Sequence, residues 1–154
     1  PQCDEKDSLF PVFPLAGYTA KAFCRLSLWS FKEKSISHFL YHSHFLKKYT
    51  VKQELADGGL LDYFSVVIGG DMIERSKPAP DIFMEACRQL NVLPEDSFII
   101  EDSYNGIRAA HAAGAKAIMV PDLLQPTEEI RELVYSVQDS LVHVRKMLEQ
   151  EINF

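Results

Sequence analysis

From about Lys47 onward, apolar residues recur with two periods that take turns along the chain. Phe45 to Ala56 has helical spacing and runs into Gly58-Gly59, a natural stop. Ser65-Val66-Val67-Ile68 is a short apolar run of the buried-strand kind, ended by Gly69-Gly70-Asp71. Pro80 to Leu90 predicts a helix with Ile82, Phe83, Ala86, Cys87 and Leu90 on one face. Pro78 and Pro80 suit the start of that helix and not its interior. Phe98-Ile99-Ile100 and Lys116 to Val120 predict two more strands, with Ser103 to Ala113, closed by Gly114, as the helix between them. Thr127 is placed to cap a further helix with Glu128 and Glu129 in its first turn. Asp139 to Leu148 predicts the last helix, with the stripe Leu141, Val144, Leu148.

Strands alternating with helices predict an α/β fold, a Rossmann-like parallel sheet with helices on both faces. In such sheets ligands bind beyond the carboxyl ends of the strands. The chemistry is therefore expected just after Ile68, just after Ile100, and after any strand that precedes Phe45.

The beginning of the chain breaks this order. Residues 1–50 carry a local charge of +3 and residues 51–154 a charge of −9, and ten of the seventeen aromatics fall in the first block. The expected organisation is an atypical N-terminal segment, 1–42, followed by an α/β core, 43–154. Within the first segment, Ala22 to Trp29 alternates as a strand would, with Cys24, Leu26 and Leu28 on one face, and His38 to His42 reads as another strand.

Composition narrows the classes. With 47% hydrophobic and 25% charged residues the chain has the make-up of a soluble globular protein. No apolar run approaches the roughly 20 residues of a membrane span, and the first residues have no basic start followed by an apolar stretch, so no membrane partner is expected. A net charge of −6 argues against a nucleic-acid surface. The three cysteines, Cys3, Cys24 and Cys87, are odd in number and scattered, which fits a reducing cytoplasm rather than a disulfide framework. His38 and His42 would share a helix face, but Phe39 rather than a glutamate follows the first, so the pattern of a zinc hydrolase is absent and a solvated or irregular segment is favoured over zinc.

Two turns carry candidate chemistry. Glu101-Asp102 places adjacent carboxylates at a strand end, where they repel each other and are partly desolvated. A hard divalent cation removes that cost, and magnesium takes one or two carboxylates with water and phosphate. The alternative is a solvated turn in which Asp102 caps the next helix. Lys77, followed by Pro78-Ala79-Pro80, sits on a stiffened backbone. A lysine held near a metal-bound phosphate would neutralise charge that develops in phosphoryl transfer. Its alternative is a surface lysine ahead of a helix.

The segments Ser76-Lys77-Pro78-Ala79-Pro80-Asp81-Ile82-Phe83, Ile99-Ile100-Glu101-Asp102-Ser103-Tyr104-Asn105-Gly106-Ile107-Arg108-Ala109-Ala110 and Ala113-Gly114-Ala115, in this order, closely resemble the haloacid dehalogenase superfamily. The resemblance is strongest to its branch of β-phosphoglucomutases and small sugar-phosphate phosphatases, which Gly59-Leu60-Leu61-Asp62-Tyr63-Phe64 also matches. It runs from about Ser43 to the C-terminus. The resemblance implies a magnesium-dependent phosphatase or phosphomutase of small phosphorylated metabolites. Lys77 would contact the phosphoryl group, Asp102 would hold magnesium, and Glu101 would do so directly or through water. Gly106 would permit close packing where the chain turns into its helix. The family's phosphate-binding Ser or Thr has two candidates: Ser43, 34 residues before Lys77, and Ser30, 47 residues before it. Ser43 is favoured by its spacing.

The family's nucleophile is the first aspartate of an Asp-x-Asp at the end of the central strand, attacking phosphorus, with the second aspartate moving the proton. Residues 1–45 contain no such pair: Asp4-Glu5-Lys6-Asp7 has the wrong spacing and no apolar strand before it. The helical cap domain of this branch is not recognisable either. The sequence therefore reads as the C-terminal part of such an enzyme, or the product of a disrupted reading frame, with low activity alone. A non-catalytic module that binds phosphate or magnesium is the alternative. A missing central strand would leave two neighbours with unpaired edges, open to association with a partner chain.

Overall fold

The computed structural model describes residues 26–32, 35–41, 47–59 and 61–152. Eleven strands and α-helices follow one another among them. Strand β1 spans Leu26–Lys32 and β2 spans Ser35–Tyr41. Helix α1 (Lys48–Asp57) leads to β3 (Val66–Ile68), and α2 (Asp81–Leu90) to β4 (Ser97–Glu101). Helix α3 (Tyr104–Ala112), β5 (Lys116–Met119), α4 (Glu128–Leu133), the two-residue β6 (Ser136–Val137) and α5 (Leu141–Ile152) complete the order. Every strand and helix predicted after Phe45 is present. Strand β6 was not predicted; two residues are too few to give a period.

The six strands form one sheet in the order β3-β2-β1-β4-β5-β6. Strands β2 and β3 are parallel, as are β4, β5 and β6. Strand β1 lies between the two groups and is antiparallel to both its neighbours, with Trp29 opposite His38 on one side and Phe98 on the other. The sheet is thus parallel except at its centre. The gap expected there does not exist: β2 and β4 both pair with β1, and the outer strands are the short β3 and β6. Strands β1 and β2 also precede Ser43 yet share a sheet with the strands that follow it.

Strand alternation builds two cores. In β4, Ile99 joins one cluster while Phe98 and Ile100 join the other. In β5, Ala117 and Met119 face the first and Ile118 the second, which Val120, just beyond the strand, also joins. The first cluster receives Ile82, Phe83, Ala86 and Cys87 of α2, Ile107, Ala109 and Ala110 of α3, and Ile130 of α4. The second receives Val144 and Leu148 of α5. Both faces of β4 and β5 are therefore buried, and for that reason these strands read as continuous apolar runs. The small residues on α3 let that helix lie close to the sheet.

The helix ends show how the loops at the carboxyl edge are held. Ser103 caps α3 by accepting from the Gly106 amide, and Thr127 caps α4 by accepting from Ile130. Lys47, before α1, supplies no side-chain cap. Asp71, from the turn after β3, does so instead, accepting from the Lys48 amide at 2.8 Å. That approach needs a glycine at 69, where a Cβ would stand 2.1 Å from the Lys48 nitrogen.

Because Ile118 is wholly buried between β5 and α5, Ile118→Ala is expected to lower unfolding free energy by about 2–5 kcal/mol through lost burial and the cavity left behind. Urea denaturation checks this; a loss under about 1 kcal/mol would mean that this second core is not packed as described.

Candidate active site

Strand β4 ends in Glu101, a charged residue that is only 1% exposed. An unpaired carboxylate at that depth would carry a large desolvation penalty. The turn after β3 answers it: the Lys77 ammonium makes an ion pair with Glu101 Oε1. Lys77 is itself largely covered and lies over the Phe83 ring, 5.2 Å from its centre. The other oxygen, Oε2, accepts a hydrogen bond from the Ser103 hydroxyl at 3.1 Å.

Gly106 has a role more specific than the packing expected of it. A Cβ there would stand 2.0 Å from Glu101 Oε2 and 2.2 Å from its carboxyl carbon. The first turn of α3 thus rests directly on the carboxylate, and only hydrogen fits between them. This is a steric requirement rather than a conformational one.

The loop that carries Lys77 is pinned at its two ends. Asp81, the first residue of α2, takes three hydrogen bonds from Arg75: from its amide (3.2 Å), its Nε (3.2 Å) and an Nη (2.8 Å). The Arg75 guanidinium holds the Asp81 carboxyl below its usual range. The clamp closes residues 76–80 into a fixed loop, with Lys77 inside it. Sequence reasoning gave Asp81 no role and missed Arg75; an arginine and an aspartate bracketing a Pro-x-Pro loop were the available signal. Ser103 was missed as well. A serine three residues before a helical glycine reads as a cap, and its second bond, to a buried carboxylate, is tertiary.

Asp102 is half-buried at the same edge, one residue beyond β4. Ser103, not Asp102, caps the following helix. Ser43 lies outside the described residues, as do His42, His44 and residues 1–25; β2, the strand before Ser43, ends beside the carboxyl end of β3. Ser30 sits in β1 opposite Ser97, at the amino end of β4 and so at the other edge of the sheet from Glu101. The same register sets the carboxyl end of β1 away from Glu101.

Magnesium is the metal implied by the chemistry of these carboxylates. Both oxygens of Glu101 are engaged, by Lys77 and by Ser103, which leaves it poorly placed as a direct ligand. Asp102 fits better, since magnesium accepts a single protein carboxylate completed by water and phosphate. Among the described residues no group of three or more His, Cys, Asp or Glu side chains is arranged to hold a metal ion. Cys87 has no such function: burial pushes its thiol up, beside the Ser97 hydroxyl at 3.8 Å.

A doubly wound sheet with a lysine and an acidic pair at its carboxyl edge is the arrangement expected of the haloacid dehalogenase type. The chain belongs to the haloacid dehalogenase-like hydrolases: the model of that family matches residues 27–120. It is 40% identical over 85 residues to a bifunctional riboflavin kinase/FMN phosphatase of Arabidopsis thaliana, covering 55% of this chain and 21% of that protein. It is 33% identical over 92 residues to a phosphoglycolate phosphatase of Nitrosospira multiformis, covering 59% and 40%. Among solved structures, CbbY of Rhodobacter sphaeroides in complex with phosphate superposes with a TM-score of 0.50 at 38% identity, over 55% of this chain and 37% of that one. The chain spans less than half the length of each of these three proteins. No described helix is long and apolar enough to cross a membrane.

If Glu101 and α3 are in the contact described, Gly106→Ala must displace the buried carboxylate or the helix. The expected loss is about 3 kcal/mol or more, combining overpacking with a disturbed buried charge. Thermal unfolding measures it, and an unchanged Tm would rule the contact out.

Proposed function

We propose that this chain carries the phosphate-binding and magnesium-binding half of a phosphoryl-transfer site for small phosphorylated metabolites, and that alone it turns them over poorly. The observation that supports this reading is the placement of Lys77 against Glu101 at the carboxyl edge of the sheet, with Asp102 the next residue along. The names of the relatives, phosphatases of FMN and of phosphoglycolate, favour small phosphorylated substrates.

In this reading the Lys77 ammonium, held by Glu101 and by the Arg75–Asp81 clamp, neutralises a phosphoryl oxygen and helps orient the group. Asp102 is the residue that would hold magnesium, and Glu101 would reach it through water. When bound, the metal supplies charge neutralisation for the phosphoryl group. Ser43 is retained as the hydroxyl donor to phosphate on the strength of its spacing alone. The sequence holds no Asp-x-Asp, so no residue is assigned the covalent step, and phosphatase is not distinguished from mutase. A reducing, cytoplasmic setting suits the free Cys87 thiol.

A second reading has an observation of its own. Glu101 is satisfied without any metal, by Lys77 and Ser103, as a site that binds phosphate without reacting would require.

Hydrolysis of an aryl phosphate with magnesium, by the whole chain and by Asp102→Asn, separates the outcomes. The expected result is turnover near background for both, with inorganic phosphate raising the Tm of the unsubstituted chain. Robust turnover lost in Asp102→Asn would show that a nucleophile is present. No phosphate-induced shift at all would remove the phosphate reading.

A further inference from the structure

We infer that Ser103 is a positioning residue for Lys77, acting through Glu101, and not merely the cap of α3. The inference deepens the proposed function, because it concerns how Lys77 is presented to a phosphate.

The Gly106 amide can only donate, so in the 3.1 Å contact with Ser103 Oγ the hydroxyl oxygen accepts. The hydroxyl has one proton left to give, and the second neighbour at 3.1 Å is Glu101 Oε2, a carboxylate oxygen that can only accept. Both bonds therefore have one allowed direction. The serine ties the start of α3 to one oxygen of Glu101 and leaves the other oxygen for Lys77.

Without that proton Oε2 would be buried and unsatisfied. The Lys77 ammonium already lies against the same carboxylate and has three protons to give. The carboxylate would turn to share both oxygens with it, drawing the ammonium toward the sheet and away from an incoming anion. Ser103 thus holds Glu101 to one-oxygen contact and keeps Lys77 presented.

The test is the acylation of Lys77 by an amine-reactive ester, followed peptide by peptide by mass spectrometry, with Lys48 and Lys52 as internal standards. In Ser103→Ala the Lys77 rate is expected to fall by about threefold or more as its ammonium is taken up by both oxygens. Ser103→Thr, which keeps the hydroxyl, is expected to restore it. Thr127→Ala removes an equivalent cap from α4 and controls for capping alone; it should leave Lys77 unchanged even if Tm falls. If Ser103→Ala leaves the Lys77 rate as it was, or if Thr127→Ala lowers it equally, the inference is overturned. Each protein is labelled well below its own Tm, so that unfolding does not enter. Calorimetric titration with inorganic phosphate, run in parallel, judges the phosphate reading separately: a shifted Lys77 rate without phosphate binding would support the role of Ser103 and contradict the proposed function.

Discussion

A carboxylate almost wholly removed from water at the end of a strand must be neutralised where it stands, and much of this structure is arranged around doing so for Glu101. Its Oε1 takes Lys77 and its Oε2 takes Ser103. Lys77 can reach it because the Arg75–Asp81 clamp and two prolines fix the loop after β3. Helix α3 can begin beside it because residue 106 has no side chain. A buried ion pair of this kind is weak evidence of stability for its own sake, since the cost of desolvation rivals the attraction. What it supplies is fixed geometry: a cation, a second carboxylate and a helix start brought to one edge of the sheet.

The direction of β1 is the second constraint. It fills the centre of the sheet and satisfies the edges of β2 and β4. Because it runs opposite to the other five strands, its carboxyl end lies at the wrong edge for chemistry. Pairing and catalysis make separate demands on a central strand. Here the first is met, in a sequence that holds no Asp-x-Asp.

Much of the fold after Phe45 was legible because burial on both faces of β4 and β5 forces apolar runs, and burial on one face of α2 forces a helical stripe. The family was legible from the ordered Lys77 and Glu101-Asp102 segments. The antiparallel sense of β1 was not, since an alternating run has no direction written in it. The roles of Ser103, Gly106 and Arg75 were hidden for a related reason. Each depends on a partner supplied by the fold, and a local pattern gives only half of such a contact. For Asp102 the sequence allows a metal ligand or a helix cap, and the cap belongs to Ser103.

The central claim is that Glu101 and Lys77 form one buried unit. A double-mutant cycle on unfolding free energy tests it most directly, using Lys77→Met, Glu101→Leu and the two together. Each single change removes one half of the buried pair and should lose about 3–5 kcal/mol, whereas the double change should recover most of that loss. Losses that simply add, or single changes that cost almost nothing, would contradict the account.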